Sequence, residues 1–243
     1  MDDPFRHHPN LRDRIAPADA SFFRDLDLAE LDARLVAAGQ PADWRTPDDI
    51  REAGRKAVID DHRGGDLWVF AYGSLMWDPA MIFAEVRRAH TPDHARAFCM
   101  WDDGARGSPD QPGLMLGIDA NGAGSGCHGL AFRIAQDRIE HETFVLFRRE
   151  MIAEGYVPTW VEVSTDFGAL TALTFVADHT KDNIVPDIPI EDQARMIAVA
   201  EGDLGSNFAY LDNLRAHLVE LDVRDAYVED LYARVVALRG NSG

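Results

Sequence analysis

Residues Leu67 to Leu75 read LWVFAYGSL, six apolar or aromatic residues in succession followed by Gly-Ser-Leu, with Gly64-Gly65-Asp66 immediately upstream. A run this short, rich in Val and aromatic residues and bounded by glycines, predicts a buried β-strand rather than a helix. Further downstream, Cys127 to Ile134 (CHGLAFRI), Thr159 to Val163 (TWVEV) and Leu170 to Phe175 (LTALTF) carry the same signal. Between the first and the last two of these lies one helix, Gln136 to Glu154, polar on most faces but with Ile139, Thr143, Leu146 and Phe147 along one stripe. Helical periodicity returns from Ile190 to Ala200 and from Phe208 to Arg239, the latter broken near Leu221 to Arg224. Strands with one internal helix, then helices, make an α+β fold and not a regular βαβ alternation.

Upstream of Asp66 the character changes. Phe22 to Gly39 (FFRDLDLAELDARLVAAG) spaces apolar residues as an amphipathic helix does, and Gly39 with Pro41 ends it. We therefore read residues 1–65 as a helical N-terminal extension and residues 66–239 as the main domain. The 243 residues, 46% of them hydrophobic, suffice for one substantial core. Met1 to Arg14 contains no apolar run of signal-peptide length, and no later stretch approaches the ~20 apolar residues of a membrane span. The expected compartment is the cytoplasm. Cys99 and Cys127 form no CxxC pair, which argues against a disulfide framework or a structural zinc site and for reduced thiols. A net charge of -18, from 42 acidic against 24 basic residues, repels phosphate backbones and anionic lipid, so neither nucleic acid nor membrane is an expected partner. A small molecule is the expected partner, and nothing in the sequence fixes an oligomeric state.

Several constellations bear on chemistry. A buried strand running into Tyr72-Gly73-Ser74-Leu75 either ends in an ordinary glycine turn or turns its N–H groups toward one point, forming a nest that suits a carboxylate. A hydrolase nucleophile elbow is a poorer fit, because G-x-S-x-G needs glycines where Tyr72 and Met76 stand. Glu150 extends the stripe of Ile139, Thr143 and Leu146 in steps of four, three and four residues, which puts a carboxylate on an inward face. It is either a boundary group neutralised by Arg148 or Arg149, or a base whose pKa is raised by burial. Glu140 and Glu142 fall off the stripe and read as solvated. Cys127 and His128 are adjacent on a strand, point to opposite faces and cannot act as a pair. His90 and His94 have Pro92 between them and lack the glutamate of an H-E-x-x-H motif, so no metal site emerges. Gly202 to Leu211 (GDLGSNFAYL) reads as a helix start capped by Ser206 or Asn207, with Tyr210 in its first turn.

At these residues the sequence resembles the ChaC-like family of glutathione-specific γ-glutamylcyclotransferases, from about Leu67 to Leu238. Leu67 to Trp77 is similar to the family's opening W-V-F-G-Y-G-S-L signature, with Ala71 in place of the usual glycine. Arg106-Gly107-Ser108-Pro109 and Pro112-Gly113-Leu114 resemble its R-G-x-P and P-G elements, and Gly129 to Arg133 its central strand. Arg149-Glu150-Met151 with Tyr156 resembles the segment carrying the catalytic glutamate, and Gly205, Asn207, Tyr210 and Leu211 match the late G-x-N-x-x-Y-L element. Five matches in order favour the functional reading of Tyr72 to Leu75 and of Glu150.

The resemblance implies a small closed β-barrel-like sheet with surrounding helices, and a substrate cavity beside the Tyr72–Leu75 loop. It implies cleavage of glutathione to 5-oxoproline and Cys-Gly, with no metal or organic cofactor. Glu150 is then the general acid/base. Val69, Phe70, Ala71, Tyr72, Gly73, Ser74 and Leu75 hold the glutamyl unit, Tyr210 bonds near the reacting carbonyl, and Arg106 is a candidate for a substrate carboxylate. Other γ-glutamyl amines or dipeptides remain alternative substrates, and a non-catalytic regulator of cation transport is the alternative of a different class.

Overall fold

The structure is a computed structural model that describes residues 3–120, 126–185 and 187–240. Two helices, α1 (Leu28–Ala37) and α2 (Asp48–Asp60), precede the first strand, β1 (Leu67–Ala71). The chain continues through β2 (Glu85–Thr91), the hairpin β3 (Ala95–Asp102) and β4 (Gly113–Asp119), β5 (Cys127–Ile134), helix α3 (Ile139–Glu150), and the long hairpin β6 (Tyr156–Thr165) and β7 (Gly168–Ala177). It ends in α4 (Ile190–Val199), a two-stranded turn β8 (Glu201–Gly202) and β9 (Gly205–Ser206), α5 (Asn207–Glu220) and α6 (Ala226–Gly240). Strands β1, β5, β2, β6 and β7 close, in that order, into a barrel, as the α+β reading with a closed barrel-like sheet expects.

Four of the barrel's seams are antiparallel, with Ala71 opposite Leu130, Val86 opposite Phe132, Ala89 opposite Thr165 and Trp160 opposite Leu173. The fifth, which closes it, is a parallel contact of Val69 with Leu173. Strand β1 is apolar throughout because both of its faces are covered: Leu67, Val69, Phe70 and Ala71 are fully buried. Strand β6 alternates instead, with Val161 and Val163 inward and Glu162 and Ser164 outward. Phe70 and Phe132 are buried on opposite faces of the sheet, and Phe147 of α3 packs edge-on against Phe175 of β7. Gly129 permits the close approach of β5 to the end of β1, since a Cβ there would lie 2.2 Å from the Ala71 carbonyl oxygen.

Element limits differ from the sequence reading where side chains outside the element decide them. The helix expected from Phe22 starts only at Leu28, because Asp27 takes the N-cap and accepts from the N–H groups of Ala29 (2.9 Å) and Glu30 (3.1 Å). The helix expected to reach Glu154 stops at Glu150, and Gly155 at φ 135 leads into β6. Strands β2 to β4 and helix α2 have no counterpart in the sequence reading. Strand β2 (EVRRAHT) is disguised by charge: Glu85 is buried, yet it is paired with Arg6, Arg87 and Arg133 from three different segments. Helix α2 (DDIREAGRKAVID) docks on α3 through a buried arginine, Arg55, which donates to Thr143 Oγ1 at 2.9 Å and pairs with Glu52 and Glu140.

Residues before Asp66 share the main core. Leu11 and Ile15 lie in the same cluster as Val69 and Phe70, and the Ala16 N–H donates to the Trp77 carbonyl at 2.7 Å. At the other end, Ser206 caps α5, its hydroxyl accepting from the Ala209 N–H at 3.2 Å. Replacing it, Ser206→Ala, should lower stability by about 1 kcal/mol and the melting temperature by roughly 2–4 °C, read by thermal unfolding.

Candidate active site

The end of β1 delivers Tyr72 and the Gly73–Leu75 loop to one end of the barrel. Ser74 to Met76 forms a single 3-10 turn, and among the described residues the N–H groups of Ser74 and Leu75, its first two positions, donate to no protein acceptor. Two contacts hold the loop. Buried Arg96 donates from Nε to the Tyr72 carbonyl (2.8 Å) and from Nη2 to the His128 carbonyl (2.6 Å), while its Nη1 pairs with Asp225 (2.7 Å). From the opposite side Arg149 Nη2 donates to Ser74 Oγ at 2.7 Å.

Arg149 and Glu150 form the last turn of α3. Glu150 lies almost wholly under cover, its side chain 14% exposed, with Oε1 accepting from Arg149 Nε at 2.9 Å. Burial pushes its carboxyl above the ordinary glutamate value, the Arg149 guanidinium pulls it part of the way back, and the Asp78 carboxylate adds to the rise. The group is thus a carboxylate poised nearer neutrality, while its arginine neighbour is tied to the Ser74 loop.

Three phenols lie within electrostatic reach of that carboxylate, each from a different element. Tyr72 of β1 donates to the Phe175 carbonyl (2.7 Å), and Tyr156 of β6 donates to the Leu116 carbonyl (2.6 Å). Tyr210 of α5 packs beside the Leu116 backbone and edge-on to Phe98. Burial raises all three, with the Glu150 charge adding to the rise, and Tyr210 is pushed up to about 12. All three therefore remain protonated donors at neutral pH. Asn207, fully buried one turn before Tyr210, exchanges two 2.8 Å hydrogen bonds with Leu114 and so fixes α5 to β4.

Several residues anticipated from sequence thus converge: Glu150, Tyr72, Ser74 and Tyr210. Gly73 belongs to the same turn, and Leu75 is buried behind it. Val69, Phe70 and Ala71 form the barrel wall: their side chains are fully buried, their backbones face β5, and the Phe70 carbonyl also accepts from Thr174 Oγ1 at 2.9 Å. Arg106 lies with its guanidinium 5.6 Å from the centre of the Tyr210 ring and donates to the Leu204 carbonyl. The roles of Tyr156 as a site phenol, and of Arg96 and Arg149 as loop anchors, were not read from sequence. Tyr156 is singled out in the sequence only as part of the motif around Glu150.

The expectation that Glu142 is solvated is wrong. Glu142 is fully buried and held by both Nη atoms of Arg24 (2.8 and 3.1 Å) and by the Ile82 N–H (2.8 Å). The covering group comes from the N-terminal extension, which the pattern of α3 alone cannot reveal. Glu140 does stay exposed, although it pairs with Arg55. Among the described residues no cluster of three or more His, Cys, Asp or Glu side chains is placed to hold a metal ion. A surface hollow of about 880 Å³ lies between the extension and the barrel, lined by Asp32, Trp44, Arg45 and Lys181 among others, and it includes neither Glu150 nor the phenols.

The sequence matches the profile described as "ChaC-like protein" over residues 67–238. The chain belongs to the ChaC-like family. This ChaC-like chain is 36% identical over 175 residues to the glutathione-specific gamma-glutamylcyclotransferase of Escherichia coli, a match covering 72% of this chain and 74% of that one. It is 30% identical over 175 residues to glutathione-specific gamma-glutamylcyclotransferase 1 of Rattus norvegicus, covering 71% and 78%. In fold it is similar to a crystal structure of a glutathione-specific gamma-glutamyl cyclotransferase from yeast, with a TM-score of 0.63, 19% identity, and coverage of 73% of this chain and 99% of that one. The ChaC-like match begins at Leu67, so it leaves out both helices of the N-terminal extension.

Proposed function

We propose that this chain is a glutathione-specific γ-glutamylcyclotransferase in which Glu150 is the general acid/base. The observation that carries the assignment of the base is a buried carboxylate, raised above the ordinary glutamate value, within electrostatic reach of three protonated phenols and beside a loop whose Ser74 and Leu75 N–H groups, among the described residues, donate to no protein acceptor. The names of its relatives support glutathione as the substrate. In glutathione the α-amine and the γ-carbonyl belong to one glutamyl unit, and a five-membered ring closes when they meet. Holding the chain folded supplies the orientation, and moving protons supplies the rest.

Glu150 takes a proton from the α-ammonium, freeing the nitrogen lone pair to attack the γ-carbonyl carbon. The carbonyl oxygen gains negative charge as the tetrahedral intermediate forms, and Tyr210 donates to it. Glu150 then passes its proton to the cysteinyl nitrogen as the γ-C–N bond breaks and the carbonyl re-forms, and the second proton of the ring nitrogen leaves to the released amine, giving neutral-lactam 5-oxoproline and the ammonium form of Cys-Gly with no water consumed. The N–H groups of Ser74 and Leu75 hold the glutamyl α-carboxylate, and Arg106 takes the remote carboxylate of the glycine. Loss of the Tyr210 donor, Tyr210→Phe, should lower kcat by about 10- to 100-fold, the equivalent of one charge-assisted hydrogen bond.

Among the described residues no helix is long and apolar enough to cross a membrane. Cys99 and Cys127 are both free and buried, and we place the protein in the reducing cytoplasm, where glutathione is abundant. The net charge of -18 disfavours nucleic acid as a partner. The test is incubation of the purified protein with glutathione and, separately, with γ-glutamyl-alanine, following 5-oxoproline and the released amine by mass spectrometry. Equimolar 5-oxoproline and Cys-Gly from glutathione, with little from γ-glutamyl-alanine, is the expected result. Equal turnover of both would move the leaving-group assignment to γ-glutamyl amines in general, and turnover of neither would sink the reading.

A further inference from the structure

The last turn of α3 is also contacted from outside the region matched by the family. Residues 21–24 pass beneath the C-terminal end of α3. The Phe23 ring lies under the Arg149 guanidinium, 4.3 Å from the ring centre. The carbonyl oxygens of Phe23 and Arg24 both accept from Arg148 Nη2. Arg24 itself, besides its pair of bonds to Glu142, donates from Nη1 to the Ala80 carbonyl at 2.9 Å. Ala80 sits at φ 58, an uncommon conformation for a non-glycine residue, in the segment that follows the Ser74 turn. That segment is thus bonded to α3 at two points: by Arg149 at Asp78 and Ser74, and by Glu142 and Arg24 at Ile82 and Ala80.

We propose that Phe23 is a positioning residue for Glu150: its ring fixes the Arg149 guanidinium between Glu150 and Ser74, with Arg24 and Arg148 anchoring the segment that carries it. The N-terminal extension is then part of the active site's construction. This rests on the reading of Glu150 as the base. The physical reason for an aromatic ring is that Arg149 already spends its N–H groups on Glu150, Ser74 and Asp78, so its flat face is left, and a π-face is the partner that fits it. Aliphatic bulk fills the same space without that attraction.

The groups that face the Glu150 carboxyl are Arg149 on its own helix, Asp78 on the loop after the Ser74 turn, Tyr72 on β1, Tyr156 on β6 and Tyr210 on α5. Arg149 is the cation among these, and it favours the ionised carboxylate. A looser Arg149 therefore leaves burial and Asp78 less opposed, and the Glu150 titration moves up.

The experiment compares Phe23→Leu and Phe23→Tyr with the wild type. The Glu150 titration is followed by carboxyl carbon NMR in the substrate-free full chain, with Glu150→Gln to assign the resonance, and kcat and KM are measured with glutathione. Phe23→Leu should raise the titration midpoint and lower kcat about 5- to 30-fold, the range of a cation–π contact from exposed to desolvated, while KM changes less than about twofold. Phe23→Tyr should retain the wild-type midpoint and rate. An unchanged midpoint and rate in Phe23→Leu overturns the proposal, as does an equal loss in Phe23→Tyr. If Phe23→Leu does not fold, Phe23→Met, less branched, serves with the same expected outcomes. A moved midpoint in a wild-type background that turns over no γ-glutamyl compound would keep the positioning role and remove the proposed reaction instead.

Discussion

Glu150→Gln should fold like the wild type and lose turnover of glutathione by about 10²- to 10⁴-fold, the usual contribution of a positioned general base. The amide keeps the size of the side chain and can still accept from Arg149 Nε, but it cannot take the ammonium proton. KM should change little, because in the proposed mechanism the glutamyl unit is held mainly by the Ser74 loop. In the wild type the same group should set the acid limb of the pH profile. Burial places its pKa above the ordinary glutamate value, so kcat/KM should fall as the pH drops through that raised value, because a protonated carboxyl is no base.

The same shift has a stability consequence of opposite sign. A carboxyl raised in the folded state favours folding most below its unfolded pKa, and that contribution is lost as pH rises through the folded value. Glu150→Gln removes the loss. Its melting temperature relative to the wild type should therefore be higher at neutral pH than at acid pH. A variant that retains near wild-type turnover, or whose acid limb is unmoved, would dismiss Glu150 as the base.

The largest stability effect should come from the N-terminal extension. Arg24→Ala leaves Glu142, whose side chain is 1% exposed, with the Ile82 N–H as its remaining donor. Breaking a buried pair by removing one partner costs about 3–5 kcal/mol, because the other charge stays out of water. For a chain of this size, that lowers the melting temperature by roughly 10 °C. Arg24→Ala combined with Glu142→Gln should recover much of the loss, since the uncompensated charge is gone, and the double-mutant cycle measures the coupling. A fall of less than about 2 °C in Arg24→Ala would show that the pair is screened in solution and that the extension is not stapled to α3 in this way.

How far the sequence led can be judged from particular elements. Strand β1 was legible because both of its faces are covered, so it reads as an unbroken apolar run between glycines, and β5 was legible from its buried Leu130-Ala131-Phe132 centre. Helices α4, α5 and α6 were legible from their periodicity. Strand β2 was not, because its Glu85 looks solvated until Arg6 and Arg133, distant in sequence, are brought to it, and its Arg88 until it meets the Leu221 carbonyl. Helix α2 was hidden for a similar reason, its docking contact being a buried arginine rather than an apolar stripe. At the site, Glu150 was found by its place on a stripe and by the motif around it, with Arg149 as a possible ion-pair partner, whereas Arg96 and the hold of Arg149 on Ser74 came only from the fold.

By itself the sequence determined the order of elements, the family, the loop at the end of β1 and the inward carboxylate, because these depend on local pattern and on motifs contiguous in the chain. Only the tertiary structure decided which charges are buried, which phenols share the carboxylate, and that residues 21–24 lie under the last turn of α3. Each of these is a contact between residues far apart in sequence. The energy of a charge depends on what surrounds it in space, and local spacing carries no record of that.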